Sequence, residues 1–62
     1  MQARITYAEA KEIALLRLEL RASWERGDHA AAKTALAILA QRAGNDNELT
    51  AECRRWWVKL AS

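Results

Sequence analysis

Few residues in this chain are equipped for covalent or acid–base chemistry: one cysteine, Cys53, one histidine, His29, and eight carboxylates. Nucleophilic catalysis needs a nucleophile, a base within hydrogen-bond reach and a third group that holds the base. Cys53 has Leu49, Trp56 and Leu60 at helical spacing, so its surroundings read as apolar. Such burial raises a thiol pKa and leaves a small inert core residue. His29 follows Asp28 in the first turn of a candidate helix, where the helix dipole disfavours imidazolium and a solvated ring is expected. Glu9, Glu12, Glu19, Glu25, Asp28, Asp46, Glu48 and Glu52 are scattered along the chain. Glu48 and Glu52 share a face at i, i+4, and with Arg55 three residues past Glu52 they read as a solvated, salt-bridged face. No glycine-rich phosphate loop occurs, and one Cys with one His sets no metal-ligand spacing. The expectation is a non-enzyme, with no catalytic residue, no metal and no cofactor.

The most distinctive segment is Arg54-Arg55-Trp56-Trp57-Val58-Lys59. Three tryptophans in 62 residues is a high density, and two of them are adjacent. Successive helical positions point about 100° apart, so with Trp56 inward Trp57 falls at the core margin or on the surface beside Arg54. Tryptophan and arginine are the types most enriched at interface hot spots. Arg54, Trp57 and Lys59 are therefore the candidate partner-binding residues. The competing expectation is that both indoles close a miniature core beneath the arginine stems.

Elements must position these residues, and composition selects helices. Fourteen alanines and eight leucines stand against seven residues of Ile, Val and Thr, with no proline and two glycines. Thr6-Tyr7-Ala8-Glu9 fits a capping box, with Ile5 as its hydrophobic staple. Gly27 supplies a left-handed end, Asp28 caps a second helix, and Gly44 ends it. Asn45 with Glu48 reads as a third N-terminus. The spacing predicts helices over about 6–26, 28–43 and 46–60 in one domain, 1–62. The fold class is all-α: a compact three-helix bundle, or a helical hairpin plus a third helix, assembling as an oligomer.

In the first helix Ile13, Leu16, Leu20 and Trp24 form one stripe, and Leu15, Leu18 and Ala22 form another nearly opposite. The second stripe is either covered by the chain's own helices or forms an oligomer or docking face. In the second helix Ala32, Leu36, Leu39 and Ala43 face one way. In the third, Leu49, Cys53, Trp56 and Leu60 line up, with Val58 on the far side. The segment Trp24-Glu25-Arg26-Gly27-Asp28-His29, followed by Ala32, Leu36 and Leu39, resembles the turn between the two helices of a tetratricopeptide repeat. Leu20 stands where that repeat has a small residue, no proline follows Ala43, and one copy is present where a solenoid needs three. The match therefore reads as shared turn chemistry.

Net charge is +2 with a pI near 9.1, and it is spread evenly: five bases and four acids in 1–26, two and one in 27–44, three and three in 45–62. No segment is a polycation and no basic face stands out. A single cysteine excludes an internal disulfide framework. Met1 to Ala10 holds no continuous apolar run, so neither signal peptide nor membrane span is expected and the location reads as cytoplasmic. So short a chain gains stability from a partner, and first from another copy of itself. The leading expectation is a small helical protein–protein interaction module, such as an inhibitor or antagonist that occludes a larger protein. The alternatives are a nucleic-acid-binding regulator of helix-turn-helix type and a structural subunit of a larger assembly.

Overall fold

The computed structural model describes residues 6–61, which form α1 (Tyr7–Arg26), α2 (His29–Ala43) and α3 (Asn47–Ala61). There is no strand among the described residues. Ile5, the expected staple, lies outside them. Each helix starts and stops where its local chemistry satisfies the backbone groups that a helix end exposes. At the start of α1 the Glu9 N–H donates to Thr6 Oγ1 at 3.1 Å, and the Thr6 N–H donates to Glu9 Oε1 at 2.9 Å. Those bonds hold the Glu9 carboxyl below its ordinary pKa. The capping box is therefore complete above the ordinary carboxylate range and loosens as pH falls through the lowered folded value.

Gly27 ends α1 at φ 78°, ψ 15°. The Asp28 N–H reaches the Ser23 carbonyl at 2.9 Å and the Gly27 N–H reaches that of Trp24 at 3.0 Å, a Schellman closure. Asp28 then accepts the Ala31 N–H at 3.1 Å and caps α2, so one two-residue turn serves both helices. The second turn differs from expectation by one residue. Gly44 lies at φ 52°, ψ −118°, and the Asp46 N–H donates to the Ala43 carbonyl at 2.8 Å, a type II′ turn. Asn45 is held inside that turn, and Asp46, not Asn45, caps α3 by accepting the Leu49 N–H at 3.1 Å.

The two short turns reverse the chain twice, so α1 and α3 run parallel with α2 antiparallel to both. Seven of the fifteen residues of α2 are alanine, and small side chains let both neighbours approach it. Leu36 and Leu39 are fully buried, with Ala32, Ala35 and Ala43 around them. Leu20 of α1 and Leu49, Cys53 and Leu60 of α3 complete the buried cluster, against which Ile13, Leu16, Trp24 and Trp56 pack. Ser23, also fully buried, donates its hydroxyl to Glu19 and accepts from Arg26. No buried side-chain polar atom among the described residues lacks a partner.

Helices α1 and α3 each pack on α2, but their backbones do not pack on one another. The architecture is thus a hairpin, α1–α2, with α3 packed on the same face of α2 and meeting α1 through side chains alone. The Cα trace measures 41 × 20 × 13 Å, a flattened body that buries one side of α1 and leaves the other open. None of the described helices is long and apolar enough to cross a membrane.

A 62-residue domain holds roughly 3–9 kcal/mol of stability, so the centre of α2 is decisive. Leu36→Ala should remove about 3 kcal/mol in urea unfolding and leave the chain close to unfolded. Ile38→Ala, on the outer side of α2, should cost less than about 1 kcal/mol. Equal losses at the two positions would contradict the placement of the core.

Candidate functional site

Two clefts flank α3. The first lies between α2 and α3, a groove of about 180 Å³ lined by Ala40, Ala43, Thr50, Cys53, Arg54 and Trp57. Trp57 stands at its rim, 41% exposed, and Cys53 is buried in its floor. Burial pushes the Cys53 thiol above its ordinary pKa, and the neighbouring Glu52 carboxylate pushes the same way while Arg17 opposes them.

The second cleft lies between α1 and α3 and is lined by Arg17, Arg21, Glu52, Arg55, Trp56 and Lys59. Arg17 spans the helices, donating from Nε to Glu52 Oε2 at 3.0 Å and from Nη2 to Oε1 at 2.8 Å. This two-pronged bond is the geometry a guanidinium prefers. Glu52 thus pairs across the fold, not with Arg55 on its own helix. Behind it Trp24 and Trp56 meet edge to face, centroids 6.0 Å apart, and His29 stacks on Trp24 at 5.2 Å. Lys59 Nζ sits 4.8 Å from the Trp56 ring and 6.0 Å from that of Trp24.

The predicted trio is thereby divided. Arg54 and Trp57 share the α2–α3 groove, whereas Lys59 turns to the opposite side of α3 and covers the indoles there. The outer stripe of α1 stays uncovered: Leu15 is 56% exposed, Leu18 66%, and Ala22 is half-buried. The α1–α3 cleft also collects four cations, Arg17, Arg21, Arg55 and Lys59, around one acid. Sequence reasoning found no basic face, so this concentration corrects it. The available signal was a pair of i, i+4 repeats, Arg17/Arg21 and Arg55/Lys59, which only tertiary packing brings together.

Cys53 and His29 do not form a nucleophile–base pair. Cys53 packs beside Ala40 and Ala43, whereas His29 opens α2 eleven residues before Ala40, about 16 Å along the axis. Among the described residues no three of His, Cys, Asp and Glu gather in a way that could hold a metal ion. Comparisons with family models, with curated proteins and with solved structures find no match.

The thiol offers a direct check on the α2–α3 groove. Cys53 in the folded chain should react with a thiol-directed disulfide reagent at pH 7.5 at least about tenfold more slowly than in urea. Reaction at the unfolded rate would place the side chain in solvent.

Proposed function

We propose that this chain is a small non-enzymatic helical interaction module that works in the cytoplasm. It occludes a larger protein through the α2–α3 groove and associates with its own kind through the outer face of α1. The observation that carries the reading is Trp57, exposed beside Arg54 at the rim of an apolar hollow. A volume of about 180 Å³ falls below that of usual metabolite pockets and suits one apolar side chain of a partner. An aromatic rim with an arginine beside such a hollow has the composition of an interface hot spot. Inhibitors and antagonists need only such an anchor and a rigid body to block access, and three short-turned helices supply the body.

A second reading, a nucleic-acid-binding regulator, draws on the four cations of the α1–α3 cleft. Two features weigh against it. Lys59 covers the Trp56 face on which a base would stack, and Asp46, Glu48 and Glu52 line the neighbouring stretch of the same groove. Four phosphate contacts would make binding fall about 150-fold between 50 and 200 mM salt. No measurable binding to single- or double-stranded nucleic acid at the lower salt removes this reading.

Affinity capture from the native lysate tests the leading one. The wild-type chain should recover one protein reproducibly, and Trp57→Ala should weaken that complex about 30-fold, the usual cost of truncating a hot-spot anchor. A complex that survives Trp57→Ala unchanged would move the binding face away from the groove.

A further inference from the structure

The outer face of α1 carries a pattern that specifies what covers it. At about 100° per residue, Lys11, Ala14, Leu18, Ala22 and Glu25 fall in a strip roughly 80° wide, pointing away from the buried Leu20. Lys11 and Glu25 lie seven residues either side of Leu18, and Ala14 and Ala22 four residues either side. Read from either end, the strip is therefore the same in side-chain size and opposite in charge. Lys11 and Glu25 form no ion pair within the chain among the described residues.

A two-fold interface requires one patch to complement itself. We infer that two copies pair antiparallel through the outer faces of α1, with the two-fold axis at Leu18, an inference that rests on the self-association proposed above. The axis sets Leu18 against Leu18 of the second copy and Ala14 against its Ala22. It also sets Lys11 against its Glu25, twice over. Small residues at 14 and 22 let the helix axes approach closely. Leu15, on one flank of the strip, then lies beside Leu18 and Ala22 of the second copy. On the other flank the stem of Arg21 lies beside its Ala14. A parallel pair is disfavoured by the same residues, because it opposes Lys11 to Lys11 and Glu25 to Glu25.

Sedimentation equilibrium of charge-swapped chains separates these arrangements, with circular dichroism confirming that each variant keeps its helices. At about 50 mM salt the wild type should be dimeric, and Lys11→Glu or Glu25→Lys alone should each weaken the dimer about tenfold. An equimolar mixture of the two single variants should associate as a heterodimer, since every Glu then faces a Lys. Both substitutions in one chain, which leave the net charge unchanged, should restore the homodimer. Leu18→Glu should abolish it. A wild type that stays monomeric at about 100 µM overturns the self-association itself. A wild-type dimer indifferent to the single swaps, or single variants that fail to associate when mixed, overturns the antiparallel register while leaving self-association in place.

Discussion

The burial of one face of α2 against both neighbours is the constraint on which the rest of the structure depends. Without phenylalanine, and with its tryptophans at the margin, the core must be assembled from leucine, alanine and one cysteine. Alanine adds little apolar area, and its contribution is to let helices come close enough for Leu20, Leu36, Leu39 and Leu60 to interdigitate. Only the central helix uses that closeness with two neighbours, both seated along one face of it. It supplies five of the nine buried hydrophobic residues, while the flanking helices each bury a single strip. A flattened body with uncovered outer faces follows from this arrangement.

Side chains, not backbones, join α1 to α3. Arg17 reaches Glu52, Trp24 meets Trp56, and Lys59 lies over both indoles. The pair at Arg17 is partly exposed and worth little alone, but with the aromatic contacts it sets how α3 lies across α2. That setting decides which face of α3 opens into which cleft. It sends Lys59 toward the cationic cleft and leaves Trp57 with Arg54 beside the hollow over Cys53. The function proposed for this chain accordingly draws on surfaces around a small core.

Helix limits could be read from the residues because capping is local: Thr6 with Glu9, Gly27 with Asp28, and Gly44 each act within a few positions. The one displaced limit, Asp46 for Asn45, arose because two capping residues stood side by side and the type II′ turn took the first. The buried strips of all three helices could likewise be found from period alone, as could the uncovered stripe of Leu15 and Leu18. The cationic cleft could not. Arg17 and Arg55 are 38 positions apart, and their meeting depends on a packing angle that no local pattern encodes. Lys59 leaves α3 on the side opposite Trp57 because two helical positions point about 200° apart, which period alone encodes.

A body this thin leaves two leucines of its longest helix in solvent, and the self-association proposed for that face would couple folding to chain concentration. Thermal unfolding followed by circular dichroism across a hundredfold range of concentration measures that coupling directly. Mass action predicts that the midpoint rises by several degrees, up to about 10 °C, as the chain becomes more concentrated. A midpoint that does not move would show that the three helices are sufficient alone, and would contradict a fold that depends on a second copy.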